Sequence, residues 1–238
     1  MADDNRPLKY MRYAIGEIVL VVIGILIALQ INTWNEERKE NNIEANYLKE
    51  MLKDYEVNLK RSNTVIDSYE KMIPTLKGLI EQSLLEKPSM SVDSLNLACM
   101  TINDMPTYSS SDRVYNNLIG SGDLRLIKNN ELKTELSIYY EKLHILKLVQ
   151  TTHEMELVES FQPYIINNMD FLAVAPQRLE DFRLPIPKEK DKILEVLHDY
   201  EFRNTITLKW VIITDLLEQN RDLLKSNTAI IELLKDYD

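Results

Sequence analysis

The pattern of apolar and polar positions divides the chain at Trp34. From Tyr13 to Ile31 the residues read YAIGEIVLVVIGILIALQI, and only Glu17 and Gln30 interrupt the apolar run. At a rise of about 1.5 Å per residue this stretch makes about 28 Å of helix, close to the roughly 30 Å hydrocarbon thickness of a bilayer. Tyr10 and Tyr13 at one end and Trp34 at the other stand where aromatic side chains anchor a span at the headgroups. A cleaved secretory signal would share the basic start, supplied by Arg6, Lys9 and Arg12, but Ala28, Leu29, Gln30 and Ile31 offer no small-x-small cleavage pair. A buried helix of a soluble core would show a polar stripe, and this one has none. The pattern therefore predicts a tail over 1–12, a retained transmembrane anchor over 13–34 and a water-soluble domain over 35–238.

Beyond the anchor the apolar positions follow the 4-3 spacing that keeps one seam of a helix against its partners. Leu48, Leu52, Tyr55, Leu59, Ser62, Ile66, Tyr69 and Ile73 predict one long helix that stops at Pro74. A second begins at Asn130, read as its N-cap, with Glu131 in the first turn. It continues through Leu132, Leu136, Tyr139, Leu143 and Leu146 to Phe161, ahead of Pro163. A third follows Asp199 as Ile206, Trp210, Ile213, Leu217, Asn220, Leu224, Asn227, Ile231 and Leu234. Shorter helices are expected over Thr75 to Leu85, over Val92 to Ile102 behind a Ser91 cap, and over Asp112 to Ile119 behind Ser109, Ser110 and Ser111. The segment from Leu172 to Pro187 carries Pro176, Pro185 and Pro187 and reads as a crossing loop.

Composition agrees with an all-α fold, because five Gly and eight Pro in 238 residues leave little material for the tight turns of a sheet. About two hundred residues suffice for one domain with its own core. Three long seams in one chain can satisfy each other, so an intramolecular bundle is expected in place of an oligomeric coiled coil. A net charge of -10 and a pI near 5.0 exclude a phosphate-binding surface, so no nucleic acid partner is expected. Cys99 is alone and cannot form an internal disulfide.

Chemistry is confined to a few candidates. Glu17 is a carboxylate inside the span, where charge is costly and tends to face protein or water. At 100° per residue Gly24 and Ala28 fall within about 20° of its direction, so Glu17, Gly24 and Ala28 make one small, partly polar face suited to close approach by another transmembrane helix, a second copy or a partner protein. The competing reading is that Glu17 reaches back to the headgroups beside Arg12 or Tyr13. The same face keeps heptad phase with Leu48 through Ile31, Trp34, Arg38, Asn41 and Ala45, so a continuous helix would carry rotation out of the lipid, although Asn35 to Asn46 is polar all round.

Glu141 with His144, and Glu195 with His198, form two Glu-x-x-His pairs of the kind that di-iron bundles contribute. Leu143 with Leu146, and Leu194 with Leu197, put the core on the other side of each pair, so neither a metal nor a cofactor is expected. Gly120, Ser121 and Gly122 resemble an anion nest, but Asp123 opposes an anion, and a helix end with positive φ is the simpler reading. Phosphate loops, nucleophile elbows and zinc spacings are not found in the sequence.

The anchor also resembles a known family. YAIGEI stands at Tyr13 to Ile18, VIGILIALQIN at Val22 to Asn32 and WNE at Trp34 to Glu36. That signature is similar to the one shared by uncharacterised single-pass membrane proteins of Bacteroidota, the domain of unknown function 6090. Further similarity runs through Ser121, Gly122, Leu126, Ile127 and Leu132 to Tyr139 and Tyr140, and again at Phe202 and Arg203. The resemblance implies a membrane location and a helical domain and transfers no catalytic residues. Its members begin with a longer basic, apolar segment than MADDNRPLKYMR.

A short tail before one span and a long hydrophilic domain is the layout of a signal anchor, which places the carboxyl-terminal domain in the periplasm of a Gram-negative cell, at the inner membrane. Arg6, Lys9 and Arg12 compete with Arg38 and Lys39 in setting that orientation. The function expected is binding rather than catalysis, as an adaptor, sensor or assembly subunit. A subunit of an ion-conducting complex that uses Glu17 is the alternative, with a di-iron enzyme behind it. Substitution Glu17→Gln separates the first two, because loss of conductance with assembly intact marks transport and loss of association marks packing.

Overall fold

The computed structural model describes residues 6–174 and 191–237. Within them the secondary structure is entirely helical. Helix α1 spans Arg6–Leu84 as 79 continuous residues, about 118 Å at the standard rise. It contains the one helix segment among the described residues that is long and apolar enough to cross a membrane, and none of that window is buried against protein. Then come α2 (Val92–Asn103), α3 (Arg113–Gly120) and a 3₁₀ turn over Asp123–Leu126. Helix α4 (Asn130–Glu156) passes through one π turn (Leu157–Phe161) into α5 (Gln162–Asn168). Two short helices, α6 (Phe171–Val174) and α7 (Lys192–Val196), precede the long α8 (Tyr200–Lys235).

Helices α1, α4 and α8 form the bundle. Helix α8 runs antiparallel to α1: Asn227 donates to the Tyr55 carbonyl at 3.0 Å, Arg221 pairs with Glu70 at 2.6 Å, and His198 near the start of α8 approaches the Ser83 carbonyl at 3.4 Å. Helix α4 runs the same way as α1, since Lys128 before it donates its backbone N–H to Glu44 at 2.6 Å. The base of the bundle therefore lies toward the span, and the tip lies at Leu84 and α5.

Pro74 does not end the first helix. Its missing N–H frees one carbonyl, a cost of about 3 kcal/mol in a helix interior. Pro74 itself is exposed, so water can solvate that carbonyl, and the next turns bury Leu76 and Leu79 completely. Two such side chains contribute roughly 3–6 kcal/mol, which decides for continuation, and the segment read as Thr75 to Leu85 is the end of α1. Pro163 is likewise passed. The π turn directs the Gln162 N–H to the Leu157 carbonyl, an i to i−5 bond that resets the ladder just before the proline.

The seams of α1 and α8 differ from the expected ones at alternate positions. The most deeply buried line of α1 is Leu48, Met51, Tyr55, Asn58, Ser62, Val65, Tyr69, Met72, Leu76 and Leu79, while Leu52, Leu59 and Ile73 are flanking and partly exposed. In α8 the line is Phe202, Ile206, Lys209, Ile213, Leu216, Asn220, Leu223, Asn227, Ile230 and Leu234, with Trp210 and Leu224 on the flank. Both keep the 4-3 spacing and include polar residues where the apolar neighbour had been preferred. In α4 the expected seam is observed, and it continues through Gln150 and His153.

Caps refine the boundaries. Asn129 precedes α4 and accepts from the Leu132 N–H at 3.0 Å, so the cap lies one residue before Asn130. Ser91 caps α2 as expected, accepting from Ser94 at 3.2 Å. Helix α3 is started from outside by Asp54 of α1, which accepts from the Val114 N–H at 3.2 Å and the Ser111 hydroxyl at 2.9 Å, whereas Asp112 makes no side-chain cap bond. Gly122 adopts φ 76°, the left-handed region that glycine enters at least cost, and the chain turns back to bury Leu126 and Ile127. Of the expected crossing loop, residues 172–174 belong to α6, and Pro176, Pro185 and Pro187 lie outside the described residues.

Candidate functional site

The expected association face stands free along α1. Glu17, Gly24 and Ala28 are exposed, with no packed element beside them, and a Cβ built on Gly24 meets nothing within 4 Å. Tyr10 and Tyr13 are each 74% exposed and Trp34 62%, which leaves the anchors open to a bilayer. Between Trp34 and the bundle the helix is single only briefly. Glu40 accepts from Arg125 at 2.9 Å, Asn41 meets the Lys128 ammonium, and the Glu44 carboxylate is buried on the Lys128 N–H. Tyr47 donates to Asp123 at 2.9 Å, and Ser121 to the same oxygen at 2.8 Å, which holds that carboxylate below its usual range and fills the Gly120–Gly122 turn with an anion of its own. The neck from Asn35 to Lys39 is thus about one and a half turns of unbraced helix.

Above the neck, side chains of the bundle pin a strap over residues 104–112. Tyr69 donates to the Pro106 carbonyl at 2.5 Å, and Gln150 brackets Tyr108 through its N–H at 3.3 Å and its carbonyl at 3.2 Å. Arg61 donates to the Ser109 carbonyl at 2.9 Å, and Asn58 exchanges two bonds with the Ser111 backbone at 2.9 and 2.6 Å. The strap has no ladder partner of its own, so these amide and guanidinium groups satisfy its backbone. Beneath it, tyrosines gather where α1, α3 and α4 meet. The Tyr108 and Tyr139 hydroxyls are 2.9 Å apart, the Tyr55 ring stands edge-on to Tyr139 with centroids at 5.1 Å, and Tyr115 stacks on Tyr140 at 3.6 Å. Burial raises the hydroxyl pKa of Tyr55, Tyr139 and Tyr140.

The strap begins at a buried basic pair. Lys209 is 0% exposed and donates to the Asp104 carbonyl and to His153 Nε2, both at 2.7 Å. Its ammonium lies 5.3 Å from the centre of the Phe161 ring, at the end of the π turn. Burial lowers the Lys209 pKa to about 7, against the opposing pull of the Asp104 carboxylate. Burial and the adjacent Lys209 lower His153 to about 4. His153 is 1% exposed and its Nδ1 has no hydrogen-bond partner among the described residues. Shifted titrations at a buried cluster beside a π turn are the pattern found at functional sites. The sequence carried a signal for this pair: the α4 seam extended by 4 and 3 from Leu146 falls on Gln150 and His153, and an α8 seam begun at Phe202 passes through Lys209.

The two Glu-x-x-His pairs are not brought together. Glu141 and His144 are exposed on α4, and Glu195 and His198 are exposed on and just beyond α7. Around the second pair the core is Ile193, Val196 and Leu197, while Leu194 is 38% exposed. No group of three His, Cys, Asp or Glu side chains spaced to hold a metal is found among the described residues.

No curated protein and no solved structure matches the chain. A family model does match, over residues 17–170, from Glu17 to just beyond α5, which is more than half of the sequence. On that match the chain belongs to DUF6090, a family of unknown function.

Proposed function

We propose that this protein is a membrane-anchored helical bundle that works by binding, as an adaptor, sensor or assembly subunit at the inner membrane with its bundle in the periplasm. The observation that carries the reading is the continuity of α1, which joins the span to the tip of the bundle without a break. A rotation or displacement imposed on the span by a neighbouring helix is passed to the bundle through about one and a half unbraced turns, too short to absorb it by bending. The Glu17, Gly24 and Ala28 face is the element proposed to take that neighbour, a second copy or a partner protein. Its small residues permit close approach, and a protein partner spares the Glu17 carboxylate from lipid.

Oxidative cross-linking in native membranes tests this with single cysteines placed at Gly24 and Ala28, and at Val19 and Leu26 on the opposite side of the helix. Cys99 is fully buried with its thiol pKa raised by burial, so it competes poorly. Adducts at 24 and 28, about tenfold above those at 19 and 26, are expected for a face of this width. Equal yields around the helix would refute a defined face.

A further inference from the structure

We propose that the Lys209–His153 pair is an acid-operated latch that holds the upper part of the bundle closed and releases it when His153 takes up a proton. The argument is geometric. An ammonium that donates to His153 Nε2 at 2.7 Å requires that nitrogen to be unprotonated, so the pair as packed holds one shareable proton where two free side chains would hold two. A second proton would place two cations in contact on side chains that are 0% and 1% exposed. The release is local, because the pair ties together three pieces: α4 at the turn before the π segment, α8 about two and a half turns after its start, and the head of the strap through the Asp104 carbonyl. The inference extends the proposed sensor role by naming a stimulus, and it stands or falls independently of what the span binds.

Few other groups intervene. From α2 and the strap comes Asp104, whose negative charge favours the Lys209 ammonium. From α1, Tyr69 faces the strap and is occupied by Pro106, while Lys71 lines the outer groove shared with Asp104. From the π turn comes Phe161, whose ring face takes the ammonium. Among the described residues no carboxylate acts on His153, and the Asp104 charge acts on the Lys209 ammonium, so a second positive charge on the ring goes uncompensated by them.

The sign follows from linkage. His153 falls from 6.5 to about 4 on closure, so the open state binds more protons between those values and opening is favoured as pH drops through 6.5. Lys209, lowered from 10.5 to about 7, pushes the same way over its own range. Hydrogen exchange of the full chain in nanodiscs at pH 7.5 and 5.5, corrected for intrinsic rates, reads the opening. Amides of 148–165 and 202–214 are expected to lose about tenfold protection at the lower pH from His153 alone. Amides of the base, at 48–58 and 224–234, are expected to keep theirs.

His153→Gln retains an acceptor that does not titrate and should abolish the difference, while the double variant His144→Gln, His198→Gln should keep it. Equal protection of the wild type at both pH values, or an undiminished loss in His153→Gln, would overturn the latch. Should that variant not fold, ring resonances of the wild-type histidines decide. A His153 ring that titrates well below those of His144 and His198 supports the latch, and one that titrates together with them refutes it.

Discussion

Asp54 shows how one side chain can define an element it does not belong to. Standing on α1, it receives the Val114 N–H in the first turn of α3 and the Ser111 hydroxyl, so the start of α3 is fixed to α1. Asp54→Ala leaves these donors unpaired in a part-buried place and should cost about 0.5–2 kcal/mol, measured by denaturant unfolding of the full chain in detergent. Asp112→Ala, with no cap bond to lose, should cost less. The serine cluster before α3 was legible as a cap, but the capping group was not, because it lies fifty-odd residues upstream and only tertiary packing brings it there. Gly122 was legible, since a glycine between Ile119 and Leu126 has few conformational uses other than the positive φ it adopts. Lys209 was hidden for the opposite reason: a lysine beside a tryptophan at consecutive positions makes Trp210 look like the buried member, and only the histidine opposite justifies the reverse.

At the scale of the elements, the three long helices could be read from spacing alone, and their ends and seams could not. Helix ends depend on sums that sequence does not display, such as the gain from Leu76 and Leu79 set against one bond lost at Pro74. Seams depend on which of two adjacent lines faces the partner. In α8 the line through Leu216 and Leu223 lies deepest, with Leu217 and Leu224 beside it. Leu216→Ala should therefore cost about 2–5 kcal/mol and Leu224→Ala distinctly less, and unfolding midpoints at constant slope would compare them. Equal losses would mean the helix sits rotated from the orientation described. The short helix α2 fell where its Ser91 cap and apolar positions placed it, because both signals are local, and α3 fell where its apolar positions placed it.

For the whole molecule, the consequential fact is that α1 joins a segment long and apolar enough to cross a membrane to the bundle as one rod. Its polar stretch after Trp34 offers no seam, yet it stays helical: charged neighbours such as Glu36 and Lys39 support it, and the 3₁₀ turn and the head of α4 brace it from Glu40 onward. If span and bundle act on one partner, their angular relation matters. Two alanines inserted after Arg38 turn the span by about 200° against the bundle, and seven turn it by only about 20° short of full register. Co-purification of the partner should fall about tenfold in the first case and stay within about twofold in the second. Equal retention by both would show that the neck transmits no rotation.

The antiparallel return of α8 has a practical side. Leu234 and Tyr237 share a cleft of about 280 Å³ with Asn41, Glu44 and Leu48, so the far end of the chain comes home to the foot of the rod. With the apolar segment embedded as proposed, a fluorophore at Tyr237 would stand within quenching distance of headgroup-labelled lipids, while one at Ser89, beyond Leu84, would stand about 65 Å higher on the same scaffold. The molecule thus supplies its own ruler for where anything docked on it sits above the lipid.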